Sequence, residues 1–338
     1  MKRSLVIAAL LTLISVPAAA QRSLDLTVND VGIAIGDAPR VKGLRINFRD
    51  RYLEAVDGIN VTVWTPYEHT GVVRGLAIGL PMTGARRIEG IAVGLLGLGA
   101  EESIRGLAIG GIGMGVGESF EGIAIGGIGM GAGQDFRGIA IAGIGAGAGG
   151  SFEGLAVSGI GVGAGGDAKG ILIGGIGAGV GGNMRGLSIA GVGLGAGGNV
   201  EGITVTGLGL GAGGNVTGVQ LSGIGMGVGG TLKWVSVAGL GIGAPRIEGV
   251  AVAAAVGTQE GRGLIIAPGY FRVGNGGMMR GVNMSAYNDV RGTQRGLAIG
   301  IFNYARHLDG VQVGLLNYAG NKPRGTRLLP ILNFSRGR

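Results

Sequence analysis

Cysteine is absent from the 338 residues. That single absence removes disulfides, zinc–thiolate sites and thiol nucleophiles. Histidine occurs only at His69 and His307, far apart and with no carboxylate pair beside either. The chain therefore offers no histidine-based triad or metal cluster, and no cofactor is expected. Charged residues amount to 14% and aromatic residues to 4%. The one strongly apolar run near the start, "LVIAALLTLISV", has about a dozen residues, too few to cross a bilayer as a helix.

That run belongs to a different pattern. Lys2 and Arg3 precede it, and "PAAA" stands before Gln21, which together give the positive start, apolar middle and small-residue cleavage site of a secretory signal. Cleavage is expected after Ala20, and with it export to the cell surface, the outer membrane or the medium. No cysteine follows, so lipid attachment at a mature N-terminal cysteine is excluded. The formal charge of +8 falls to +6 once Lys2 and Arg3 are removed.

What the chain has in abundance is glycine, 81 residues, far above the ordinary share of about 7%. There is no every-third period and little proline, so collagen is excluded. Ile, Val, Leu and Met recur throughout, which excludes disorder. The glycines instead mark a repeat. A copy such as "EGIAIGGIGMGAGQDFR" opens on a glycine at 90, 106, 122, 138, 154, 170, 186, 202 and 218, a spacing of sixteen. Trp234 takes the next place, and looser copies open at Gly249, Gly263, Gly281, Gly296, Gly310 and Gly325, with Gly43, Gly58 and Gly75 upstream. The expected organisation is a signal over 1–20, an irregular N-terminal cap over 21–73, a regular array over 74–248 and an irregular C-terminal cap over 249–338.

Within a copy the pattern is strand-like. Ile123 and Ile125 alternate with small residues, and so do Ile128, Met130 and Ala132. A helix would lose about 0.8–1 kcal/mol at every interior glycine. The Gly126–Gly127 pair shifts the parity, which predicts a corner or bulge there, and the Asn- and Gly-rich ends predict turns.

Two all-β architectures accept such a repeat: a β-solenoid with one coil per copy, or an antiparallel transmembrane β-barrel with one strand per copy. The residue before each opening glycine discriminates. The series Arg74, Glu89, Arg105, Glu121, Arg137, Glu153, Lys169, Arg185, Glu201 changes sign at every step except Lys169–Arg185. Stacked coils set these residues side by side, where opposite signs attract. Phe120, Phe136 and Phe152, and likewise Asn183, Asn199 and Asn215, form further columns suited to stacking. The array also lacks the aromatic girdles of a barrel. The expected fold is a glycine-rich β-solenoid with capping ends. Its interior is expected to hold Ile123, Ile125, Ile128, Met130 and Ala132, with Ala124 outside.

Near the C-terminus the copies read "GLAIGIFNYARHLDGVQVGLLNYAGN" and close on "LPILNF". Gly296, Leu297, Ile299, Gly300, Ile301, Asn303 and Tyr304, then Gly310, Val311, Val313, Gly314, Leu315, Asn317 and Tyr318, carry a resemblance to the tandem G-L-x-I-G-L-x-N-Y repeats of bacterial secreted and cell-surface repeat proteins. The resemblance covers about the last 45 residues. It implies an envelope or surface location and supplies no catalytic residue.

Accidental G-x-G-x-x-G matches lack the strand, helix and acidic context of nucleotide binding. Asp50, Glu54, Asp57 and Glu68 are the nearest approach to an acidic cluster. The basic residues concentrate at the ends, among them Arg40, Lys42, Arg45, Arg49 and Arg51, then Arg291, Arg295, Arg306 and Arg324. Tyr52, Trp64 and Tyr67, and Tyr270, Tyr287, Tyr304 and Tyr318, lie in the same ends. Anionic glycans, lipopolysaccharide or a membrane surface are the partners such ends suit, and nucleic acid is not expected. The leading expectation is an exported, non-enzymatic structural or interaction element of the bacterial envelope. An outer-membrane pore or anchor is the alternative, and an exported enzyme with a site near Asp50, Glu54 and Asp57 the third.

Overall fold

The computed structural model describes residues 23–64, 66 and 68–336; the signal segment and Tyr67 lie outside the described residues. The chain is nearly all strand. It divides into two compact units after Val116, and each is a stack of parallel, in-register coils.

The first unit begins with an antiparallel hairpin, Ser23–Val28 against Val31–Gly36, turned by Asn29 and Asp30 at positive φ. The second hairpin strand then pairs in parallel with Arg40–Arg49, and Ala55–Trp64, Val72–Gly79, Met82–Gly94 and Gly97–Gly110 follow in the same sense. Val41, Val56, Val73, Ile88 and Ile104 form one inward column, fully buried.

In the second unit each sixteen-residue copy contributes a long and a short strand. Phe136–Ala142 lies between Ser119–Gly126 and Phe152–Ser158, while Gly145–Ala148 lies between Gly129–Ala132 and Gly161–Ala164. All of these pairings are parallel. Parallel neighbours at a constant register rule out the antiparallel barrel, whose successive strands must reverse. The reason is visible at the opening glycines. Gly138 has φ +129°, a conformation L side chains rarely adopt, and a Cβ there would overlap the carbonyl oxygen of Gly122 on the neighbouring coil. Glycine in this column lets the coils close to ladder distance.

The C-terminal strands lengthen, and Tyr287–Ala319 runs as one strand through two coils. The last strand, Leu328–Ser335, turns antiparallel onto it. It covers an edge that would otherwise offer unpaired amides and carbonyls. Gly325, expected to open a copy, sits instead in the short 3-10 turn Arg324–Thr326.

The expected interior is wrong in its sidedness. Ile123, Ile125 and Ile128 are exposed at 42%, 38% and 49%, whereas Ala124 is fully buried. Met130 and Ala132 are inside, as expected. The corner at Gly126–Gly127 is real, but the coil it closes is thin. A Cβ on Gly126 would lie 2.7 Å from the carbonyl oxygen of Gly129 across the corner, so a large side chain beside it has room only outside. The inward positions of one coil trade volume instead. Phe120, Phe136 and Phe152 each share a coil with an inward alanine, Ala124, Ala140 or Ala156; where Ala168 ends the phenylalanine column, Leu172 fills the gap. The three rings stack at 4.7 and 5.0 Å between centroids.

Candidate interaction surface

Because the large aliphatics point outward, the long-strand side of the second unit carries two apolar columns, and the corner carries a third. Ile123 begins a column that continues through Ile139, Leu155 and Ile171; Ile125 begins one through Ile141, Val157 and Ile173. The corner column contains Ile128, Ile144, Ile160, Ile176, Val192, Leu208, Ile224 and Leu240, all between 44% and 63% exposed. Ordinary monomers seldom show a contiguous apolar patch beyond about 300–600 Å². The short strands are bare on their outer side: Cβ atoms built on Gly179, Gly195, Gly211 or Gly227 would meet nothing within 4 Å.

The charge column borders the apolar side. In the first unit Arg74 contacts Asp57 at 3.0 Å and Glu89 at 3.5 Å, and Glu89 is in register with Arg105. The hydrogen bond to Asp57 and the Asp57 charge are the main causes holding the Arg74 guanidinium above its ordinary pKa, with a smaller contribution from Glu89. In the second unit Glu121 is in register with Arg137. Arg137 and Lys169 approach Glu153 from either side at 3.9 and 3.0 Å, and Arg185 meets Glu201 at 3.0 Å. Lys169 and Arg185 are neighbours of like sign. These pairs are exposed, so water and salt screen them and each contributes little to stability.

The turns carry a second ladder. Asp167 Oδ1 accepts from the backbone N–H of Asn183, Asn183 Oδ1 from Asn199, Asn199 Oδ1 from Asn215, and Asn215 Oδ1 from Thr231, at 2.7 to 3.0 Å. Among the C-terminal coils an asparagine ladder lies inside. Asn288 Nδ2 donates to Asn303 Oδ1 at 2.6 Å, and Asn303 Nδ2 donates to Asn317 Oδ1 at 2.7 Å. This is what the Asn of each Asn-Tyr pair does, while Tyr304 and Tyr318 stack outside at 5.1 Å.

The acidic cluster near the N-terminus does not converge. Asp50 is buried and bonded to Arg45 and Asn47, Glu54 pairs with Arg40 at 2.6 Å, and Asp57 pairs with Arg74. Arg45 itself is fully buried, so it adds nothing to a basic surface. It occupies an inward column shared with Ala34, Asn60, Ala77 and Ala92, where Asn60 Oδ1 and the Ala38 carbonyl also accept from it.

At the C-terminal end Asn275, Tyr287, Asp289, Arg291, Tyr304 and Arg306 line an open cleft of about 380 Å³. Arg291 Nε contacts Asp289 at 3.0 Å, whereas Arg306 has no carboxylate partner among the described residues. Tyr270 donates its hydroxyl to Asp289 at 3.0 Å. Burial first, and this hydrogen bond next, push its phenol above the usual pKa.

The chain's sequence pattern points to none of one more feature, the conformation of Trp234. It stands in the opening-glycine column with φ +81° and is 66% exposed. Only its replacement of glycine was visible in the sequence. Comparison with protein-family models, with curated proteins and with solved structures gave no match.

Proposed function

We propose that the chain is an exported, non-enzymatic structural or interaction element of the bacterial envelope or cell surface, working through a repeated sheet face. The observation that carries this reading is the set of outward aliphatic columns headed by Ile123, Ile125 and Ile128. An aliphatic lattice in water is a standing cost that contact with another surface relieves, at about 25 cal/mol per Å² covered. The signal segment and the resemblance of the C-terminal copies to secreted surface repeats support the location. Fractionation of a bacterial host making the full chain tests it. Recovery with the envelope or medium, shortened after Ala20, is expected; full-length protein in the cytoplasm overturns the exported reading. Replacing Ile139, Ile141, Ile171 and Ile173 with Thr should lower envelope retention and hydrophobic-dye binding while leaving the far-UV spectrum unchanged. Retention equal to the parent's removes the face from the account.

The C-terminal cleft supports a second contact, with an anionic glycan. Arg306, with no carboxylate partner among the described residues, lines this cleft with Tyr287 and Tyr304, and sugars with carboxylate or sulfate groups match that combination of charge and apolar surface. Arg306→Ala should abolish retention on an anionic polysaccharide column if this is so; unchanged retention removes the glycan reading.

A further inference from the structure

The apolar side of the second unit identifies its own partner. It is a lattice rather than a smooth patch: side chains recur about every 4.8 Å along the coil stack and about every 6.6 Å along each strand. A surface whose ridges fit between those ridges over many coils must share that pitch, and a second copy does so by construction. We propose that two copies of this chain pair face to face through the long-strand side of the second unit, with Trp234 anchoring the contact. The proposal rests on reading this side as an interaction surface.

Area agrees with a dimer. Eight long strands, from Ser119–Gly126 to Thr231–Ala238, span about 38 Å along the stack, and a seven-residue strand spans about 23 Å. Full overlap buries about 1,700 Å² over both copies, within the ordinary range for specific complexes of about 1,200–2,000 Å². Charge argues against a lipid surface as the occupant. The bordering column alternates in sign, as in Arg137, Glu153 and Lys169, so it lacks the basic excess that holds a protein to anionic headgroups.

Trp234 is the independent observation. Every other residue at that register position from Gly122 to Gly296 is a glycine at positive φ. A tryptophan there adopts a backbone conformation unfavourable to any side chain, yet its ring is largely in water. Neither strain nor exposure benefits the isolated coil stack. It does place a large aromatic beside the apolar columns, next to Val235, and tryptophan is the residue most enriched where contact energy concentrates.

Sedimentation equilibrium of the exported chain should show a dimer with a dissociation constant of about 1 µM or tighter. Trp234→Gly relieves the backbone, so at concentrations where parent and variant are both monomeric its unfolding midpoint should stay or rise, while dimerisation weakens about 10-fold or more. A purely structural tryptophan would give the opposite, a lower midpoint and an unchanged dimer. Residues at the centre of a two-fold contact meet their own copies. In this cysteine-free chain, Ile171→Cys should therefore oxidise to a covalent dimer, and Gly195→Cys, on the bare short-strand side, should not. A chain that is monomeric throughout, a Trp234→Gly variant that dimerises as the parent does, or equal cross-linking from both cysteines overturns the pairing. So does a monomer that floats with phosphatidylcholine–phosphatidylglycerol vesicles; that result replaces the second copy by lipid and leaves the interaction surface standing. The Thr replacements that test the face itself decide that earlier reading separately.

Discussion

Two glycine-to-alanine substitutions in adjacent coils should move stability in opposite directions. Gly202 has φ +126°, and a Cβ there would overlap the carbonyl oxygen of Gly186. Holding alanine at such a φ costs about 1–3 kcal/mol. Relieving the overlap requires shifting a strand whose own ladder partners, Met184–Ala190 and Val216–Ser222, fix it on both sides. The combined loss is about 3–5 kcal/mol, at the upper end for a single substitution. Gly195, seven residues earlier, has an ordinary φ and nothing within 4 Å of its would-be Cβ. Alanine there removes unfolded-state entropy and contributes about 0.5–1 kcal/mol. For a unit of this size 1 kcal/mol moves the midpoint by about 2–4 °C. Thermal melts followed by far-UV circular dichroism should then fall by about 10 °C for Gly202→Ala and rise slightly for Gly195→Ala. Equal shifts, or a larger loss at Gly195, would refute the assignment of the opening glycines to coil closure.

Phe136→Ala empties the middle of three stacked, buried rings and should cost about 3–5 kcal/mol in urea unfolding; a loss below 1 kcal/mol would show that the stack is slack. Arg45→Leu leaves Asp50 buried without its cation and should cost about 3–5 kcal/mol, whereas Arg45→Leu with Asp50→Leu should recover much of it. A double variant no better than the single would place the stability elsewhere in the network. Tyr270 holds its proton more tightly folded than unfolded. Its contribution to stability is therefore complete below the ordinary tyrosine pKa near 10 and is lost as pH rises through the higher folded value. Burial, and then the Asp289 charge, push the Tyr287 phenol up as well, so absorbance titration near 295 nm should show late-titrating phenols whose amplitude falls by one phenol in Tyr270→Phe; an unchanged late amplitude would overturn the assignment to Tyr270.

The stacking register was legible because backbone geometry writes it directly into sequence: the opening glycine must recur wherever coils close on one another, and Arg137, Glu153 and Lys169 must alternate if they are neighbours. Sidedness was not legible from hydrophobicity, because both sides of a strand show period two. The usual rule puts Ile123 and Ile125 inside, but corner contacts between Gly126 and Gly129 set the room available, and no periodicity reports them. A usable signal was present in the covariation of volume within a coil. Phe136 travels with Ala140 and Ala168 with Leu172, as residues sharing one interior must, while the outer columns stay aliphatic without compensation. The same alignment of copies would have placed Arg45 in an alanine column and so indoors. The conformational oddity of Trp234 had no counterpart in sequence beyond its identity.

A fixed coil of sixteen residues also makes length a quantity that changes in whole steps. Excising residues 122–137 would splice one turn out and bring Phe152 onto Phe120, an uninterrupted interior, but would set Glu153 against Glu121. Excising 122–153 would instead bring Lys169 against Glu121. The border charges thus act as a parity check on gains and losses of turns, tolerating even numbers in this stretch and penalising odd ones, so that the molecule can be lengthened by duplication or shortened by deletion of paired turns without redesign of any single turn.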